Sequence, residues 1–156
     1  MRAFWDAYRR TNPSAPAELP EVGPFGDTPA LADQLLGLVL DGRKRATSTL
    51  LAEFAAEGQD VVRVGDHWIV TDAVGAPRAI LRTTETRIGP FLSVDDAFAF
   101  DEGEDDRSRE SWIREHRRYW TRRCAHLGIP WSEHAAILFE RFEVVHRFER
   151  VVPSRG

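Results

Sequence analysis

Apolar side chains recur three and four positions apart in some stretches and every second position in others, which separates helices from strands along the chain. Phe4, Trp5 and Tyr8 share one face of a short N-terminal helix, which stops before Pro13, Pro16 and Pro20, a segment that reads as a surface crossing. Asp27 or Thr28 caps a second helix with Pro29 in its first turn, Leu31, Leu35, Leu38 and Val39 along its stripe, and Gly42 as its stop. Residues 46–51 are β-branched and apolar enough for a strand, and 52–59 carry a poorer pattern. Residues 61–64, Gly65-Asp66 and 67–71 read as strand, turn, strand; 74–77 reverse the chain, and 78–86 run back as a strand. Ser93 is placed to cap a short helix through Val94, Ala97 and Phe98. Asp106 or Ser108 opens the longest helix, whose stripe of Trp112, Ile113, His116, Tyr119, Trp120, Cys124 and Leu127 ends at Gly128-Ile129-Pro130. Residues 136–148 close the chain as a long strand, with Glu140, Arg141 and Glu143 facing water. Strands with helices inserted between them, rather than alternating regularly, predict an α+β fold around a small, mostly antiparallel barrel.

Length changes this picture little: 156 residues fit one domain, 1–156, with an N-terminal extension over 1–20 and a core over 21–150. Cys124 is the sole cysteine, which excludes an internal disulfide and points to a reducing cytoplasm. The N-terminus carries charges where a signal peptide needs an apolar stretch, and the longest greasy run, near 35–40, is too short to cross a bilayer, so no membrane partner is expected. A net charge of −4 argues against a long phosphate-tracking surface. Asp101, Glu102, Glu104, Asp105 and Asp106 precede Arg107, Arg109, Arg114, Arg117, Arg118, Arg122 and Arg123, and the two blocks can pair with each other.

Charge does bring one position forward. Lys44 is the only lysine among 21 basic side chains, so a compact ammonium was kept where every other cation is a guanidinium. It follows the second helix in Gly42-Arg43-Lys44-Arg45-Ala46-Thr47, a turn that sets an amine near a hydroxyl. His116 sits on an apolar stripe and reads as a hydrogen-bonded core residue. Cys124, His126 and His134 are too sparse for zinc, so neither metal nor cofactor is expected. Trp112 and Trp120 read as core, whereas Trp68 or Trp5 could stack on a base. Arg107 and Ser108 are candidate anion contacts at a helix start.

Three strings in order, Phe25-Gly26-Asp27 before Ala32-Asp33, Gly42-x-Lys44-x-x-Thr47, and Ala99-x-x-Glu102-Gly103-Glu104 with Arg107-Ser108 and Trp112-x-x-x-His116, resemble the ASCH domain family, related to the PUA fold. The closest likeness is to a bacterial subgroup with a helix ahead of the domain, and it spans about residues 20–148. The resemblance implies a PUA-like β-barrel of five or six strands and a cleft beside the lysine loop that takes single-stranded RNA or a nucleoside. In the acetylcytidine amidohydrolases of this family, a lysine, a threonine three residues on and a glutamate do the chemistry, which maps onto Lys44, Thr47 and Glu102. Arg43, Arg107, Ser108 and Trp68 are the ligand-binding candidates. That branch is shorter and lacks the long helix found here.

In such a hydrolysis Thr47 attacks the amide carbonyl and Lys44 takes the hydroxyl proton, a role arginine cannot fill. A base of this kind must be free of its proton, which burial favours and a neighbouring Glu102 opposes. Two other readings use the same residues: a non-catalytic RNA-binding module holding phosphates on the arginine face of the long helix, and a nuclease on single-stranded RNA.

Overall fold

The structure, a computed structural model, describes residues 1–148. The ends of the expected 21–150 core and 1–156 domain, residues 149–156, lie outside the described residues. Helix α1 (Arg2–Thr11) buries Trp5 and Tyr8 against Ile69 and Ile80 of the sheet. The proline segment then crosses the surface, with the Trp5 indole donating to the Pro16 carbonyl at 3.2 Å. It ends in a short strand, β1 (Glu21–Gly23), which the sequence pattern missed because only three residues stand between Pro20 and Pro24. Thr28 caps α2 (Pro29–Leu40), its hydroxyl accepting from the Leu31 amide at 3.2 Å. The buried stripe of α2 is Ala32, Leu35, Leu36 and Val39, with Leu31 and Leu38 at its margin.

Strand β2 (Ala46–Leu50) runs straight into α3 (Leu51–Ala56), a helix in the segment whose pattern looked poor. Strands β3 (His67–Thr71) and β4 (Pro77–Pro90) follow, the latter four residues longer than its expected end at 86. Helix α4 (Asp96–Glu102) is capped by Asp95 rather than Ser93, and α5 (Arg109–Leu127) by Ser108. Strand β5 (Ala136–Arg147) closes the described chain.

The five strands form one sheet in the order β1-β3-β4-β5-β2, parallel only between β1 and β3. It curls into a half-barrel, α+β as expected. The strand expected over 61–64 is absent, and Val64 is 60% exposed. Its sheet position does not exist, since β3 already has β4 on one side and β1 on the other. Besides the cluster under α1, two larger apolar cores flank the sheet. One gathers Phe91, Trp112, Trp120 and Phe139 under α5, and the other packs α2 against Val70, Leu81 and Phe142. No helix of the described residues is long and apolar enough to cross a membrane.

Candidate functional site

Two adjoining regions carry the polar chemistry of the molecule. The first is a sealed cluster built where the turn after α2 meets the end of α4. The Arg43 and Lys44 amides both reach the Leu38 carbonyl at 3.0 Å, and the Arg45 amide donates to the Asp101 carbonyl at 2.7 Å. This close approach depends on Gly103, whose φ is +76° and whose absent Cβ would stand 2.3 Å from the Arg43 carbonyl oxygen. Lys44 is 1% exposed. Its Nζ donates to the Ala46 carbonyl at 2.9 Å, the Glu102 carbonyl at 3.3 Å and Glu104 Oε2 at 3.0 Å, and lies 3.9 Å from Glu102 Oε1.

Glu102, also 1% exposed, accepts from Ser48 Oγ at 2.7 Å and from the Trp112 indole, and its Oε2 lies 3.2 Å from His116 Nε2. His116 stacks on Trp112 with ring centroids 4.1 Å apart. Its Nδ1 faces the Trp112 carbonyl at 2.8 Å, so both ring nitrogens point at acceptors and the imidazolium form satisfies both. Burial alone would raise the Glu102 carboxyl, but the charges of His116 and Lys44 and the hydrogen bonds from His116 and Ser48 outweigh it and hold the group down at about 2. Burial opposes the charged His116, and Glu102 overrides that penalty, carrying the imidazole above its ordinary value. Two cations therefore face two carboxylates. Glu102, Glu104 and His116 present ligand-type atoms within 4.8 Å of one another, and the Lys44 amine already supplies positive charge to that group.

The second region is a cleft of about 730 Å³ on the concave side of the sheet. Its walls include Phe25, Trp68, Phe54 and Tyr119, the hydroxyls of Thr47, Thr49 and Thr83, and seven acidic residues, Glu140 among them. Glu140 is a correction: expected to face water, it is 8% exposed, because its side of β5 looks into the half-barrel. Its Oε2 accepts from the Thr83 hydroxyl at 2.5 Å. Burial pushes its carboxyl up, with Thr83 opposing and Asp66 adding to the rise. Arg123 is the one arginine or lysine on the wall among the described residues, and Glu53 and Glu57 both hold it.

The structure thus brings Lys44 and Glu102 together but sets Thr47 apart. In the pleat of β2, consecutive side chains take opposite faces. Ser48 turns to Glu102, while Thr47 pairs with Glu140 across β5 and lines the cleft. Among the described residues no hydrogen bond links the Thr47 hydroxyl to Lys44 or Glu102. Trp68 is half-buried on the cleft wall, its indole donating to the Gly23 carbonyl at 3.1 Å; Trp5 is fully buried and offers no face to a base. Arg43 is engaged by the carbonyls of Gly103 and Asp105, Arg107 by those of Phe100 and Arg43, and Ser108 caps α5. These three knit the loops behind the cleft and are not among its walls.

The geometry defines a small α+β half-barrel with a concave cleft beside a buried lysine. A model of the ASCH domain matches residues 21–146, and the chain belongs to that family. An ASCH domain from Lactobacillus crispatus JV V101 is 28% identical, with a TM-score of 0.80 over 92% of this chain and 92% of that one. A protein from Enterococcus faecalis V583 is 29% identical, with a TM-score of 0.82 over 91% of this chain and 85% of that one. No curated protein matches the chain.

Proposed function

We propose that this ASCH domain binds a nucleoside, stripped of phosphates, in the cleft bounded by Trp68, Thr47 and Glu140. The observation that carries this reading is the composition of the wall. Aromatic faces, hydroxyls and a deeply set carboxyl suit a base and a sugar, while seven acidic residues around one already paired arginine repel a phosphate chain. The volume lies within the range of about 300–1,000 Å³ typical of small-molecule sites. The arginine face of α5 gives the RNA-binding module less support, because its members already face acids: Arg114 and Asp105, Arg117 and Glu133, Arg122 and Asp27. Lys44 and Glu102 serve in this reading as a rigid support on the other face of the strands, off the cleft wall.

Titration calorimetry with cytidine, adenosine, their 5′-monophosphates and a short single-stranded RNA tests the proposal. Nucleosides are expected to bind with little dependence on salt, and their monophosphates more weakly. Tighter binding of the RNA, falling steeply as salt is added, would transfer the function to a phosphate-tracking surface.

Hydrolysis of a modified cytidine such as acetylcytidine is a second reading, favoured by the register that sets Thr47 of β2 beside Glu140 of β5 on the cleft wall. A hydroxyl and a carboxyl with raised proton affinity are the parts an acyl transfer needs. The family pattern assigns proton transfer to Lys44, whereas this geometry favours Glu140. Turnover of acetylcytidine that falls in Thr47→Ala and Glu140→Gln supports it; turnover unchanged in both removes it. Shortened RNA products in the same mixtures would speak for a nuclease.

A further inference from the structure

We propose that the nucleoside preferred by this cleft carries a positively charged base, held between the Glu140 carboxylate and the aromatic wall at Trp68. This rests on the nucleoside reading above and names the class of base. Positive charge is what the site lacks. Arg123 is committed to Glu53 and Glu57, and Lys44 is sealed away with Glu104, its nitrogen 5.5 Å from the centroid of the Phe25 ring that forms part of the wall. Glu53 and Glu57 are in turn spent on Arg123, whereas Asp66 and Glu140 on the same wall have no ion-pair partner among the described residues.

Glu140 adds a more specific signal than the acidic count. It is more than nine-tenths buried and lies on the cleft wall, and among the described residues its carboxyl has a single hydrogen-bond partner, Thr83, on Oε2. Oε1 is left for an occupant. A carboxyl held so deep ionises at a cost, which a cation arriving beside it offsets and a neutral base does not. The charges that act on it are Asp66, just ahead of β3, and the buried Lys44; His67, Glu53 on α3 and Arg123 on α5 share the cleft wall. The aromatic contribution is of the same sign. Trp68 packs on Phe25 with centroids 4.3 Å apart, and the negative faces of such rings attract a delocalised cation.

A metal ion fits less well. Among the described residues, three ligating atoms converge only in the sealed Glu102, Glu104 and His116 group, not in the cleft. A flat organic cation can use one carboxylate and one ring face where a metal needs a cage.

The test compares matched pairs at neutral pH: 1-methyladenosine against adenosine, and 3-methylcytidine against cytidine, with spermidine as a cation that lacks a base. Each methylated base carries the positive charge its parent lacks. The cationic member is expected to bind about tenfold more tightly. Glu140→Gln is expected to shrink that ratio to about threefold or less, and Trp68→Leu to weaken the cationic member several-fold, with circular dichroism confirming that both variants fold. Equal affinity within each pair, with both members binding, overturns the charge preference and leaves the nucleoside reading intact. Spermidine binding as well as the methylated nucleosides overturns it too, since the base would then be irrelevant. No binding by any nucleoside removes both readings.

Discussion

The cluster around Lys44 and the cleft around Glu140 lie on opposite faces of the same two strands, yet they treat charge in opposite ways. In the cluster, each buried charge has a partner: Lys44 meets Glu104, and Glu102 meets His116, Ser48 and Trp112. In the cleft, Glu140 has one hydroxyl for company and an oxygen to spare. A saturated network fixes shape, and an unsaturated one invites a ligand. The family residues Lys44 and Glu102 therefore belong to the saturated side, and the proposed ligand side takes Phe25, Gly26 and Thr47 from the family strings and the rest of its wall from residues outside them.

The sharpest way to break this contrast is Glu102→Ala. Removing the carboxylate strips His116 Nε2, Ser48 and the Trp112 indole of their shared acceptor and leaves Lys44 to Glu104 alone. The expected loss is about 3–5 kcal/mol, visible as a large drop in the urea midpoint; a loss below about 1 kcal/mol would mean the cluster is not structural. Gly103→Ala comes next, at about 3 kcal/mol, because the added Cβ meets the Arg43 carbonyl and the left-handed φ disfavours any side chain. Stability measured by urea melts across pH separates the two regions further. Glu102 is held down at about 2, so its contribution is complete above the ordinary carboxylate range and is lost as pH falls toward about 2. His116 is raised, so its share is complete below the ordinary imidazole value and fades as pH climbs through the raised one. Glu102→Gln should flatten the acid limb, and an unchanged limb would assign acid unfolding elsewhere. The smallest stability effect belongs to Glu140→Gln. It keeps the shape and removes a costly ionisation, so stability at neutral pH should hold or rise by about 1 kcal/mol or less. A clear destabilisation would show that Glu140 is as structural as Glu102.

Helix ends were the most legible part of the sequence. Thr28 and Ser108 cap, and Gly42 and Gly128 stop, where local chemistry alone dictates. Elements defined by tertiary partners were not. The three residues of β1 exist as a strand because β3 offers an edge, and residues 61–64 do not pair with β3 because β1 and β4 occupy both of its edges. Helix α3 was hidden because Leu51 follows directly on Leu50 of β2 without a turn residue between them. The site shows the same limit. Lys44 stood out by its rarity, but an acid facing a concave pocket and an acid facing open water are written identically on a strand, which concealed Glu140. The burial of Glu102 was equally silent, although His116 one turn beyond Trp112 on an apolar stripe was the available hint of a polar partner inside.

Thr47 and Ser48 are neighbours in sequence that serve opposite sides of one sheet, and this makes the short span after Lys44 intolerant of changes in length. One residue inserted or deleted there would rotate β2 by half a period, turning the threonine toward the buried acid and the serine into the open pocket. Side-chain replacements in this stretch leave the frame intact, whereas an insertion would dismantle both regions together.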